Sequence, residues 1–271
     1  MLEFGTNVNN TGNGGMPTMG QVLGGVGATG GYAGSAMTPP PATGTGMGQR
    51  PAGMNAGSTG SAGGASGAGT ISLKKGQKIS LTKAAPSMTH VLVGLGWSTQ
   101  RYTGAADFDL DASAFLVDNN GRTAADGFVF YGATCKTADG RRCDGSESVI
   151  HSGDNKVGGD GVNDDEQLTI DLSRVPANIQ KVAISCTIYD SERRRQNFGM
   201  VSNAYIRIVD NDTGAEVARY DLGEDFSTET AVVIGEIYRH NGEWRFNAVG
   251  SGYSGGLAMI CRQYGLDVEG E

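Results

Sequence analysis

The sequence predicts a mainly β protein, an antiparallel β-sandwich with a C-terminal helix and one short helix, preceded by a Gly/Met-rich low-complexity tail. Short apolar runs, many of them alternating with polar residues, recur from residue 71 onward with turn residues between them. Many short strands of this kind are typical of an antiparallel sandwich or barrel. One long segment with helical periodicity follows them, near the end of the chain.

The first 70 residues differ in composition from the rest of the chain. They hold 21 of the 45 glycines and six of the nine methionines, and their only charged side chains are Glu3 and Arg50. Such a segment has few bulky apolar groups to offset the entropy lost on ordering. We therefore expect residues 1–70 to be a flexible or partner-ordered tail. We expect residues 71–271 to form one domain, because about 200 residues bury one good core.

The strands are predicted in order along residues 70–250. Residues 70–83 have the pattern of a hairpin, with two short β-prone runs around Lys75-Gly76. Residues 89–97 form a continuous apolar run, which predicts a strand buried on both sides or nearly so. The pair Asn241-Gly242 predicts a two-residue hairpin turn between the last two strands. Further strands are predicted at 180–190, 202–210, 215–222, 231–240 and 242–250.

Two helical segments are predicted. In the C-terminal one, Ser254 is placed to cap the first turn and Gly265 to end the helix. Its apolar face, which we expect to lie on the sandwich, consists of Leu257, Ile260, Cys261 and Tyr264. The shorter segment, near residues 191–198, contains the basic run Arg193 to Arg195, which we interpret as a solvated helical turn.

Charge and cysteine usage exclude several classes of protein. Outside the tail there are 20 Lys and Arg against 28 Asp and Glu, and this acidic balance argues against nucleic-acid binding, which requires clustered positive charge. No signal peptide or apolar membrane span is visible in the sequence. Cys186 and Cys261 are expected to be buried core thiols. Cys135 and Cys143 are expected to be free thiols in a reducing cytoplasm, the alternative being a bridge across a loop in an oxidising compartment.

Two acidic segments suggest a site. Asp107, Asp109 and Asp111 are spaced by two, so on a strand their side chains share one face. The segment 153–168 contains five more acids and four glycines. Such carboxylates repel one another unless a cation lies between them, and the neighbouring sequence supplies no fixed one. Calcium suits an all-oxygen set of this kind. The alternative is a solvated acidic loop beside a charged strand edge.

The spacing does not match known calcium loops or catalytic motifs. An EF-hand beginning at Asp107 would place Ala112 where the loop requires glycine. The three histidines are scattered, and no serine lies in a nucleophile-elbow pattern. His151 precedes the second acidic segment, where it either orients a ligand or is a structural histidine. The sequence therefore predicts no enzyme.

Several long motifs, in order, resemble one family. They include "GLGWSTQRYTGAADFDLDASAFLVD", "SVIHSGDN", "DDEQLTIDL" and "AVGSGYSGGLAMICRQYG". Over residues 71–266 the chain resembles the TerD-type tellurium-resistance and stress-response family. The resemblance implies a calcium-binding β-sandwich without established catalytic activity, cytoplasmic or membrane-associated. The segment 135–148 is longer than usual for that family and carries both loop cysteines.

The resemblance also assigns site residues. We expect two calcium ions, or one with a weaker neighbour, held between the start of the first acidic strand and the 153–166 loop. The ligands that the resemblance implies are Asp109, Asp111, Asp154, Asn155, Asp164, Asp165 and Glu166.

The function expected from residues and resemblance together is non-enzymatic. We expect a cytoplasmic calcium-binding scaffold. Its contacts with protein partners or with the inner membrane surface would depend on calcium, and at the membrane it would be a peripheral protein. The alternative is a structural self-assembly protein, in which residues 1–70 drive homo-oligomers or filaments and calcium is purely structural.

Overall fold

The computed structural model describes residues 69–99, 108–153, 163–222 and 226–268. The predicted tail, residues 1–70, lies almost wholly outside the described residues, so the proposed division of the chain at residue 70 stays a prediction. In the described part, no helix is long and apolar enough to cross a membrane.

The described residues form thirteen strands in two sheets. In chain order they are β1 (Ile71–Leu73), β2 (Lys78–Ser80), β3 (His90–Thr99), β4 (Leu110–Asp118), β5 (Thr123–Val129), β6 (Arg142–Cys143), β7 (Val149–His151), β8 (Glu166–Asp171), β9 (Ile179–Ile188), β10 (Val201–Asp210), β11 (Ala215–Asp221), β12 (Ala231–His240) and β13 (Glu243–Tyr253). The first sheet has the order β1-β11-β10-β3-β8-β7-β6, and the second has the order β2-β13-β12-β9-β4-β5. All pairings are antiparallel except β1 with β11.

The two sheets face each other across one apolar core. Alternate residues of β3, such as Val93 and Leu95, and alternate residues of β9, such as Val182 and Ile184, are buried in it together. Successive side chains of a strand point to opposite faces, so this period-two pattern is what a layer between two sheets requires. The predicted fold class, an antiparallel β-sandwich, is confirmed.

A second apolar cluster covers the outer face of the second sheet. Here α3 (Gly256–Gln263) packs through Ile260 and Cys261 against residues of β4 and β5, such as Phe115 and Phe128. The predicted helix on the sandwich is therefore confirmed. Its C-terminus also matches the prediction, because Gly265 has a positive φ of 76° and ends the helix.

The start of α3 differs from the prediction. The backbone N–H groups of Gly255 and Gly256 donate to the hydroxyl of Thr230, at 3.3 and 3.0 Å. Thr230 immediately precedes β12, so the capping oxygen comes from a neighbouring strand and not from Ser254. A cap supplied by a distant segment leaves no signal in the local sequence.

The strands β1 and β2 do not pair with each other, so the hairpin predicted for residues 70–83 is wrong. A turn is present, since the Gln77 N–H donates to the Lys74 carbonyl at 2.9 Å. However, β1 pairs with β11 in the first sheet and β2 pairs with β13 in the second. The hairpin predicted at Asn241-Gly242 is present, with φ of 51° and 76° at the two turn residues.

Three short helical turns complete the described fold. They are α1 (Leu81–Ala84), α2 (Ser191–Arg194) and a 3-10 turn at Phe198–Met200. The turn α2 lies in the segment where a short helix was predicted.

Candidate metal centre

The two acidic segments meet at one end of the sandwich. Asp109 and Asp111 lie at the start of β4 in the second sheet, and Asp164 to Glu166 lie at the start of β8 in the first. The Tyr189 N–H donates to the Asp109 carbonyl at 2.8 Å, which fixes the backbone just before β4 against the end of β9.

Glu166 connects the two sheets. Its side chain is buried, and its Oε2 accepts a hydrogen bond from the Ala112 N–H of β4 at 2.5 Å. Asp111 is the residue before Ala112 and is itself only 6% exposed. This hydrogen bond therefore ties the start of β8 to the backbone of β4, one residue after Asp111.

His151 lies next to Glu166. Its Nδ1 accepts from the Gly153 N–H at 3.0 Å, so in the neutral ring Nε2 carries the proton. That Nε2 lies 3.6 Å from Oε2 of Glu166, and both side chains are fully buried. This separation is longer than a hydrogen bond, so His151 lies beside the Glu166 carboxylate without a direct bond to it.

Asp165 is fixed to β3. Its own N–H donates to the Leu95 carbonyl at 2.7 Å, and its Oδ2 accepts from the Trp97 N–H at 2.9 Å. These two bonds to backbone groups of β3 help to set the direction of the carboxylate.

The pKa of one buried thiol, Cys186, is affected by three of these acids. Burial raises the pKa of Cys186 well above its ordinary value, and the negative charges of Glu166, Asp111 and Asp165 raise the pKa further. Cys186 lies on β9 opposite Ala112. The negative charges that raise the pKa of this thiol therefore come from residues of both sheets.

Asp164 has a different environment. Its side chain is 1% exposed, and Arg207 binds both carboxylate oxygens, Nε to Oδ1 at 2.7 Å and Nη2 to Oδ2 at 2.8 Å. Tyr205 and Gln167 donate to the same oxygens at 3.2 and 3.0 Å. The neighbouring sequence gave no sign of a fixed cation, because Arg207 is 43 residues away in the chain.

The basic run near residue 193 is only partly solvated, as Arg194 points toward the site. Its Nη2 lies 3.8 Å from Oδ2 of Asp109, with the two side chains 20% and 13% exposed, and its guanidinium lies over the ring of Tyr189. Arg193 is 76% exposed and pairs with Asp190. The interpretation of this run as a solvated turn is therefore correct for Arg193 and wrong for Arg194.

Two of the assigned ligands, Asp154 and Asn155, lie outside the described residues, as does Asp107 of the first acidic segment. Within the described ranges, no group of three or more His, Cys, Asp and Glu side chains is arranged to hold a metal ion. The donor chemistry that is described suits calcium, because Asp109, Asp111, Asp165 and Glu166 offer hard carboxylate oxygens. Cys186 does not suit calcium, since its raised pKa keeps it a neutral thiol at neutral pH.

Comparison with known proteins gives a consistent result. The TerD domain family matches residues 70–264. General stress protein 16U of Bacillus subtilis is 55% identical over 200 residues, covering 73% of this chain and 99% of that protein. Tellurium resistance protein TerD of Serratia marcescens is also 55% identical over 200 residues, covering 73% of this chain and 98% of that protein. The resemblance predicted from the motifs is confirmed.

A solved structure shares the fold. The crystal structure of a protein of unknown function, SAV2460, superposes with a TM-score of 0.50 at 23% identity, covering 64% of this chain and 94% of that one. At this identity the likeness shows the fold alone. The family match and the close relatives together show that the chain belongs to the TerD domain family.

Proposed function

We propose that the protein is a non-enzymatic calcium-binding member of this stress-response and tellurium-resistance family. The observation that supports it best is the hydrogen bond from the Ala112 N–H of β4 to the buried Glu166 carboxylate of β8, which fixes the start of β8 to the strand that begins beside Asp109 and Asp111. Buried carboxylates at close range are stable as anions only when a cation or strong donors compensate them. A divalent ion bound between the strands would supply that compensation.

In this proposal the ligands come from both sheets. Asp109 and Asp111 contribute from β4, and Asp165 and Glu166 contribute from β8. Asp154 and Asn155 are proposed to complete the oxygen shell, because calcium takes six to eight oxygens. Asp164 is proposed to anchor the segment through Arg207 instead of contacting the ion, since four donors already bind its carboxylate.

A thermal melt tests calcium binding. A ligand that binds only the folded state stabilises it by mass action. We expect the melting temperature of the full chain, stripped with a chelator, to rise in millimolar calcium and to rise much less in magnesium, which gives up its water reluctantly. Asp111→Asn should abolish most of the rise. Asp139→Asn, which removes an equal charge from an exposed hairpin tip, should retain it.

A melting temperature that calcium leaves unchanged would exclude the proposed site. An equal rise in Asp111→Asn and in the unmodified chain would place calcium elsewhere on the protein.

The cellular role proposed is that of a scaffold. A calcium ion at an acidic surface offers a bridge to an anionic group, either a phosphate of the inner membrane surface or a carboxylate of a protein partner. Co-sedimentation with anionic phospholipid vesicles tests the membrane version. We expect the protein to pellet with vesicles in calcium and not in chelator. Pelleting that is equal in both would remove the membrane version, and pelleting in neither would favour a protein partner.

A further inference from the structure

Cys135 and Cys143 lie directly opposite each other in a small antiparallel hairpin. The neighbouring pair Lys136 and Arg142 forms a β-bridge, the Thr137 N–H donates to the Arg141 carbonyl at 2.9 Å, and the Cys143 N–H donates to the Cys135 carbonyl at 3.3 Å. Directly opposed residues have Cα atoms about 4.5 to 5.5 Å apart. A disulfide requires about 4.4 to 6.8 Å, so the backbone already satisfies its geometry.

The two sulfur atoms are in contact. Both residues are free thiols, and their Sγ atoms lie 3.0 Å apart. The Cys135 thiol also donates to the Asp144 carbonyl at 3.3 Å, so it is held in this position. Only a small side-chain movement is needed for the two sulfur atoms to form a disulfide bond.

The hairpin itself is anchored. Arg142, between the two cysteines in sequence, donates to the carbonyls of Tyr131 and Ala133 at 3.0 and 2.7 Å. Cys143 pairs with Ile150 of β7. The buried Asp144 carboxylate accepts from the Val149 N–H at 2.7 Å. Because the backbone on both sides of the pair is bonded, the close approach of the thiols is a property of the fold.

The two thiols differ in exposure. Cys143 is 1% exposed, whereas Cys135 is partly exposed to solvent. Burial, together with the adjacent Cys135, raises the pKa of the Cys143 thiol. An oxidant in solution therefore reaches Cys135 first, and Cys143 is the group placed to react with the oxidised product.

We propose that Cys135 and Cys143 form a redox-active dithiol that hydrogen peroxide converts to an intramolecular disulfide. In the first step Cys135 loses its proton and its sulfur attacks one peroxide oxygen. The S–O bond forms, the O–O bond breaks, and the departing hydroxide takes a proton and leaves as water. Cys135 is then a sulfenic acid and the peroxide is reduced.

In the second step the Cys143 sulfur attacks the Cys135 sulfur. The S–S bond forms, the S–O bond breaks, and the hydroxide leaves with the Cys143 proton as a second water. Two thiols and one hydrogen peroxide thus give one disulfide and two waters. A small dithiol reverses the change by thiol–disulfide exchange. This chemistry is independent of the proposed calcium site.

Mass spectrometry of the full chain tests the proposal. After treatment with a slight excess of hydrogen peroxide, we expect a chain two hydrogens lighter, a linked Cys135–Cys143 peptide, and alkylation of Cys186 and Cys261 alone after unfolding. Dithiothreitol should restore four alkylated thiols. Buried Cys186 and Cys261 are the internal controls for non-selective oxidation.

Two variants separate the roles of the thiols. In Cys143→Ser, Cys135 should gain one oxygen, trapped as a dimedone adduct, because its partner is missing. In Cys135→Ser, Cys143 should stay unmodified at the same peroxide dose because it is buried. Four alkylated thiols in the treated unmodified chain, a disulfide between chains, or oxidation of Cys143 in Cys135→Ser would each overturn the proposal.

Discussion

Asp164 shows how one distant residue changes the role of an acid. Its carboxylate is buried and receives two parallel hydrogen bonds from Arg207, a geometry that only the guanidinium fork provides. In the sequence, Asp164 is one of five acids in a segment for which we predicted no fixed cation nearby. The fold brings β10 beside the end of the acidic segment and supplies the cation from there.

Removing Arg207 leaves the Asp164 carboxylate buried without its cationic partner. We expect Arg207→Gln to lower the free energy of unfolding by about 3 kcal/mol, the range for breaking a buried ion pair. Arg141→Gln is the matched control, because Arg141 pairs with an exposed Asp139 and such pairs contribute below about 1 kcal/mol. Urea unfolding measures both, and equal losses would show that Asp164 is not held by Arg207.

Gly94 on β3 leaves the space that the Asp164 carboxylate occupies. A Cβ at Gly94 would overlap the Asp164 carboxyl group. We expect Gly94→Ala to destabilise the protein by about 1 to 3 kcal/mol through overpacking. Gly127→Ala, whose Cβ would meet its nearest neighbour at 3.4 Å, should cost much less. Urea midpoints compare them, and indistinguishable midpoints would contradict the packing of Asp164 on Gly94.

The buried thiol of Cys261 should make the stability of the fold depend on pH. Burial on the inner face of α3 raises its pKa to about 12, whereas an exposed thiol titrates near 8.5. Because the folded-state pKa of this thiol is raised, its contribution to stability is fully present below about pH 8.5. That contribution is lost as the pH rises toward 12, since the unfolded chain releases the thiol proton and the folded chain retains it. We expect the urea midpoint to fall over this window, and to fall less steeply in Cys261→Ala. Parallel curves for the two proteins would contradict a neutral buried thiol at this position.

At the scale of elements, local pattern predicted strands but not their partners. Alternating side chains marked β9 and β10 in the sequence, and the Asn241-Gly242 turn was visible because both residues adopt positive φ. The partners of β1 and β2 were not visible. Their backbone bonds go to β11 and β13, and no residue between 70 and 83 encodes that choice.

The cap of α3 gives an element-scale prediction. Thr230→Val removes the hydroxyl that binds the first N–H groups of the helix, and we expect a loss of about 1 kcal/mol. Ser254→Ala should be nearly neutral, although Ser254 is the residue that the sequence favoured as the cap. Urea unfolding of both variants distinguishes the two caps. A larger loss from Ser254→Ala would show that the sequence-based assignment was correct.

At the scale of the whole molecule, the sandwich brings the two acidic segments to the same end. Their charge and spacing identified the segments, and the family motifs identified the individual acids. Sequence reasoning missed the link from Glu166 to Ala112, the approach of Arg194 to Asp109, and the pairing of Arg207 with Asp164. Each depends on contacts between strands far apart in the chain, which no local pattern records.

The central claim is that acids of both sheets hold one calcium site. Isothermal titration of calcium into the chelator-stripped full chain tests it most directly, using Asp111→Asn in the second sheet, Glu166→Gln in the first, and Asp139→Asn as control. We predict saturable binding to the unmodified chain and the control, and affinity weakened about tenfold or more by either single substitution, a loss of at least 1.4 kcal/mol. No saturable heat in the unmodified chain, or full affinity in both Asp111→Asn and Glu166→Gln, would contradict the claim.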